Sequence, residues 1–161
     1  MKPKKPGQKK LRVFIVENHP DTVFGLRMYL DVLGHEAHVA HDMKTALKMA
    51  REIEFDVLLS DISLPDGDGW ELMRRLSAER PITGIAMSGY GMQSDIAKSK
   101  AAGFIKHLIK PMLPEELERA LTAAAARGES SETKPRKARR ATKIMRNKSA
   151  RSRIKQTRSH G

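Results

Sequence analysis

The sequence predicts one α/β domain, a parallel β-sheet with helices on both faces, over residues 12–127. Three observations predict it. Short continuous apolar runs such as Val13-Phe14-Ile15-Val16 and Val57-Leu58-Leu59 have the pattern of strands buried on both faces, without the alternation of a sheet that has one wet face. Between those runs, apolar residues recur at helical spacing. The two kinds of segment alternate along the chain, and parallel neighbours need the crossover that a helix supplies.

The elements follow in order. After the first strand and a polar loop, Val23, Leu26, Leu30 and Leu33 share a helical face, and Gly34 is the expected stop. His35 to His41 alternates as a short strand, and Met43, Ala46, Leu47 and Ala50 form the next helical face. The third strand, Val57-Leu58-Leu59, leads into a loop rich in Pro, Asp and Gly and a helix around Trp70 to Leu76. Ile82 to Met87 is the fourth strand, followed by a short, weakly apolar helix near Ser94 to Ala101. Phe104 to Ile109 is the fifth. The last helix runs from Glu115 to about Arg127, with Pro114 pre-setting its start and Glu115 and Glu116 at the positive end of its dipole.

A chain of 161 residues suits one core and is short for two ordinary domains. Its charge is unevenly placed. Residues 1–12 contribute +6 and residues 128–161 contribute +10, so a net charge of +12 leaves −4 for residues 13–127. A mildly acidic domain therefore carries two basic arms, 1–11 and 128–161. The tail has only Ile144, Met145 and Ile154 as large apolar groups, too few to offset its ordering entropy, so both arms are expected to be disordered. The tail's cations suit nucleic acid, an acidic protein or an anionic membrane, although it has no aromatics to stack on bases. No apolar run approaches the ~18 residues of a membrane span, and nothing resembles an export signal, so a cytoplasmic location is expected. The absence of Cys excludes disulfides, thiolate catalysis and zinc-thiolate sites.

In an open parallel sheet, chemistry collects at the carboxyl ends of the strands. Glu17-Asn18, Asp61, Ser88 and Lys110 stand at those ends. The set is coherent for phosphoryl transfer: carboxylates to hold a divalent cation, one carboxylate as nucleophile, and a hydroxyl and an ammonium for phosphoryl oxygens. Asp61 alone at a strand end is more often a cap or turn former, and it is Ser88 and Lys110 that reverse the balance.

The stretches VFIVENHPD, LLSDISLPDGDGWEL, IAMSGY and HLIKPMLPEEL resemble the signature segments of response-regulator receiver domains, the acceptors of two-component signalling. The resemblance covers residues 12 to about 127 and rests on four separated motifs in order. It implies a five-stranded, doubly wound, flavodoxin-like sheet of strand order 2-1-3-4-5. It also implies that Asp61 is the phosphoacceptor, Ser88 the switch hydroxyl, and Lys110 the lysine that precedes an often cis Pro. His107 takes the place of the aromatic rotamer switch, and Pro65 and Gly69 match the loop after the acceptor. Glu17, Asn18, Asp61 and the backbone carbonyl of Ser63 would hold Mg2+. The family normally has an Asp where this chain has Asn18, which removes a negative charge beside the cation and implies weaker magnesium binding.

The implied function is a stand-alone receiver that takes a phosphoryl group on Asp61 from a histidine kinase or histidine phosphotransfer protein and signals through a conformational switch. It would not be a conventional turnover enzyme, although it could catalyse its own phosphorylation and dephosphorylation. A homodimer through the last two strand–helix units is a further expectation. The alternative is a nucleic-acid-associated regulator whose basic tail is gated by the receiver. A haloacid dehalogenase-type hydrolase fits poorly, because it would need D-x-D at the first strand, where Glu17-Asn18 stands. Asp66 and Asp68 hint at a calcium loop but lack the remaining ligands, and are expected to be turn residues. His35 and His41 would share one strand face with His38 on the other, which argues against a three-histidine metal site. His19-Pro20 is assigned to loop geometry and Trp70 to packing.

Overall fold

Three strands are buried almost throughout, and they make the middle of the sheet. In the computed structural model, which describes residues 7–89 and 91–131 and only the backbone of 129–131, these are β1 (Arg12–Val16), β3 (Val57–Asp61) and β6 (Gly84–Ser88). The more exposed β2 (Glu36–Ala40) and β7 (Lys106–Ile109) form the edges. The order is β2-β1-β3-β6-β7 with every pairing parallel. Counted within this sheet, that is the expected 2-1-3-4-5. The expectations for the first six residues and for the tail beyond Ser131 lie outside the described residues.

Helices cover both faces because alternate residues of the central strands are apolar in both directions. Val13, Ile15, Val57, Leu59, Ile85 and Met87 pack against α1 (Pro20–Val32) and α5 (Pro114–Ser131), which supply Leu26, Leu30, Leu117 and Leu121. Phe14, Val16, Leu58 and Ala86 face the other way. There they meet α2 (Met43–Glu52), α3 (Gly69–Glu79) and α4 (Gln93–Ala102), through Ala46, Ala50, Leu72, Met73, Leu76 and Ala102.

Several boundaries differ from expectation for local reasons. α1 begins at Pro20, ahead of its first apolar residue, because the fixed φ of proline suits the first turn. Gly34 follows the cap with φ 79°, the left-handed region that favours glycine. A two-residue antiparallel ribbon, β4 (Ser63–Leu64) with β5 (Gly67–Asp68), occupies what was expected to be loop. The fourth strand starts at Gly84 and not Ile82, and the fifth at Lys106 and not Phe104. α5 continues past Arg127 to Ser131.

The parallel registers bring the carboxyl ends level. Val16 lies beside Ala40 and Ser60, Asp61 beside Met87, and Ser88 beside Ile109. The amino ends are clasped separately. Asp56 accepts hydrogen bonds from the Arg12 backbone N–H (2.8 Å), its Nε (3.2 Å) and its guanidinium NH2 group (3.1 Å), and returns its own N–H to the Arg12 carbonyl at 2.8 Å. Burial pushes the Asp56 carboxyl up, but the bonds from Arg12 outweigh it and hold the group below its ordinary 3.8.

Because Asp56→Ala orphans a backbone N–H and a guanidinium at the start of β1, it should cost about 1–3 kcal/mol in urea unfolding. The depressed pKa gives the pH dependence its sign. The contribution of Asp56 is complete above pH 3.8 and is lost as pH falls through the lower folded value. The stability gap between wild type and variant should therefore close in acid.

Candidate functional site

The chain leaves β1 directly into Glu17, whose N–H bonds the Ala40 carbonyl at 3.0 Å. That contact fixes the side chain over the sheet edge, 1% exposed. A carboxylate so buried needs compensation. It comes from Lys110, just beyond β7, whose Nζ donates to Glu17 Oε2 and to Asp61 Oδ2, each at 2.9 Å. The other Glu17 oxygen accepts the His19 N–H at 3.2 Å, and Asp61 Oδ1 accepts the Ser63 N–H at 3.0 Å. Glu17, Asp61 and Lys110 thus meet from three separate strands.

The electrostatics follow from this crowding. Burial pushes the Glu17 carboxyl up, the Asp61 carboxylate adds to the rise, and Lys110 opposes it, leaving the pKa above its usual value. Burial alone would lower the Lys110 pKa, but the two carboxylates more than reverse that, so the ammonium stays charged. Lys110 is positioned by its backbone as well, its N–H bonding the Ser88 carbonyl at 2.8 Å. The Lys110–Pro111 peptide bond is cis. Ser88 is the last residue of β6 and is buried, whereas Asn18, next to Glu17 in the chain, and Ser63, two residues after Asp61, are exposed.

The loop after Asp61 is built tightly. A Cβ on Gly69 would overlap the Asp61 carbonyl oxygen, so only glycine permits this approach, and the Gly69 N–H bonds the Ile62 carbonyl at 2.8 Å. Asp66 and Asp68 do more than turn the chain. Asp68 caps α3 by accepting the Glu71 N–H at 2.8 Å. Asp66 reaches across to the N-terminus of α2 and accepts from Met43 (2.7 Å) and Lys44 (2.9 Å), bonds that hold its carboxyl below the usual range.

His107 lies in β7 with Nδ1 2.7 Å from Ser99 Oγ on α4, and the same hydroxyl accepts the Trp70 indole N–H at 2.9 Å. Packing alone therefore does not describe Trp70. Ser99 was invisible in the sequence, since one serine on a weakly apolar helix carries no signal. The other histidines disperse: His35 Nδ1 accepts the Leu11 N–H, His38 pairs with Glu36, and His41 Nδ1 lies 3.2 Å from the Glu17 carbonyl. Among the described residues, no three His, Cys, Asp or Glu side chains are grouped to hold a metal. Among them too, no helix is long and apolar enough to cross a membrane.

The family model described as the response regulator receiver domain matches residues 13–122. The virulence sensor protein BvgS of Bordetella pertussis is 32% identical over 133 residues, covering 78% of this chain and 11% of that protein. The chain thus spans about a tenth of the length of this relative. Among solved structures, the signal receiver domain of an HD domain-containing protein from Pseudomonas fluorescens Pf-5 is 28% identical with a TM-score of 0.71. The match covers 76% of this chain and 99% of that one. A CheY-like receiver domain protein from Methanospirillum hungatei JF-1 is 25% identical with the same TM-score and coverages. The chain belongs to the response regulator receiver domain family of two-component systems. Domains of this family are signalling domains and not conventional enzymes. They interact with histidine kinases and phosphotransfer proteins, and they bind Mg2+ at the phosphorylation site.

The donors available here suit that cation in kind. Two carboxylates lie together on one ammonium, with the Asn18 amide next to Glu17 and the Ser63 carbonyl two residues beyond Asp61, so every donor is a hard oxygen. The set is one negative charge short of a two-acid pair.

Lys110→Met leaves the buried Glu17 carboxylate without its cation and should cost about 3–5 kcal/mol near neutral pH. The penalty should shrink as pH falls and Glu17 takes up a proton. Chemical unfolding of both proteins at several pH values measures it.

Proposed function

We propose that this receiver accepts a phosphoryl group on Asp61 from a phosphohistidine on a histidine kinase or histidine phosphotransfer protein. The observation that carries the reading is the bond from Lys110 Nζ to Asp61 Oδ2 at the carboxyl edge of the sheet. In the transfer, an Asp61 carboxylate oxygen forms the new P–O bond as the P–N bond of the phosphohistidine breaks, and the freed imidazole departs with its electron pair. Asp61 is 13% exposed on its side chain, reachable yet partly desolvated. Lys110 then exchanges a carboxylate oxygen for a phosphoryl oxygen, and Ser88, at the end of the intervening strand, supplies a hydroxyl to another. Mg2+, when bound, would neutralise charge on the transferring phosphoryl oxygens. Asp61, Glu17, Asn18 and the Ser63 carbonyl are the groups to hold it. His107 is the proposed switch residue.

Incubation with a radiolabelled phosphodonor kinase should label the wild type and leave Asp61→Asn unlabelled. Equal labelling would remove Asp61 from the role. Asn18→Asp restores the missing charge and should bind magnesium more tightly in a direct titration, whereas unchanged affinity would contradict the assignment of Asn18.

A further inference from the structure

α4 joins the core with less apolar surface than its neighbours: α2 also buries only two small side chains, Ala46 and Ala50, but adds the partly buried Met43, Leu47 and Met49, and α4 adds none. It buries only Ser99 and Ala102, and two small side chains remove little apolar area from water. Its attachment is therefore substantially polar. Ser99, 1% exposed, accepts the Trp70 Nε1–H at 2.9 Å and has its Oγ 2.7 Å from His107 Nδ1. The neighbouring Lys98 places its Nζ 5.1 Å from the centre of the Trp70 ring, a second α4 contact to the same side chain.

The donor inventory gives this chain of bonds a direction. An indole nitrogen only donates, while a hydroxyl has one proton and two lone pairs. With Trp70 on one lone pair, the Ser99 proton can point to an unprotonated His107 Nδ1, and each bond polarises the next. Both ends lead back to the candidate site. Trp70 follows Gly69, which abuts the Asp61 backbone, and His107 shares its strand with the residues leading to Lys110.

We propose that Ser99 is a positioning residue that latches His107 to Trp70 and holds α4 in place, so that a change in the His107 side chain is transmitted to α3 and loosens α4. This goes beyond the phosphoacceptor reading, and only the second arm of its test rests on that reading.

Trp70 is the only tryptophan in the chain, so its indole N–H gives one identifiable resonance in the full-length protein. His107→Phe should shift that resonance in the wild-type background and leave it in place in the Ser99→Ala background. Amide exchange along α4 should also accelerate in Ser99→Ala. Equal shifts in both backgrounds, or no shift in either, overturn the latch. In the second arm, beryllofluoride with magnesium should shift the Trp70 resonance of the wild type and not that of Ser99→Ala. A response as large in Ser99→Ala as in the wild type overturns the latch. A wild type without any Asp61-dependent response overturns the phosphoacceptor reading instead, and the first arm then decides the latch by itself.

Discussion

The bridge from Lys110 to the carboxylates of Glu17 and Asp61 is the contact that the site depends on. It demands a particular sheet. Glu17 follows β1, Asp61 ends β3 and Lys110 follows β7, so the ammonium must reach over β6 and past β3 to find Glu17. The four-carbon stem of lysine can do this only if the strands are parallel and in register at their carboxyl ends. The registers of β3 with β6 and of β6 with β7 provide that alignment. Burial of Glu17 then makes the arrangement self-enforcing, because a desolvated carboxylate without a cation is costly enough to disfavour any other register.

The sequence was most legible where burial is most complete. Val13–Val16 and Val57–Leu59 face helices on both sides, so their composition alone identifies them as inner strands. Legibility fell at the edges. Phe104 and Ile105 are apolar and read as part of the last strand, yet Phe104 serves the core from just outside β7. Gly84 starts β6 at a point where a Cβ would meet Met73 and Phe104 at 2.9 Å, a packing constraint that periodicity does not encode. The β4–β5 ribbon has two residues per strand and so no period at all.

The site divides in the same way. Glu17, Asp61, Ser88 and Lys110 could be found because strand ends are predictable places and the motifs are local. The second role of Asp66, as a cap for α2, joins residues 22 and 23 positions apart in the chain, and the Trp70–Ser99–His107 chain spans three elements. Neither has a local signature, since each joins elements that are distant in the chain and meet only in the fold.

The loop that follows Asp61 gives the domain an uneven mechanical character. Asp66 is bonded to α2, Asp68 to α3, and Gly69 is wedged under the Asp61 carbonyl, so this flank is braced at three points within four residues. The flank formed by β6, α4 and β7 is tied differently: α4 buries Ser99 and Ala102, and the Ser99 hydroxyl joins it to Trp70 and His107. The Asp61 backbone therefore abuts a loop tied to two helices, while the α4 side is tied through one shared hydroxyl. A displacement starting at Asp61 would thus meet many contacts on one flank and few on the other, an asymmetry written into the loop before any residue moves.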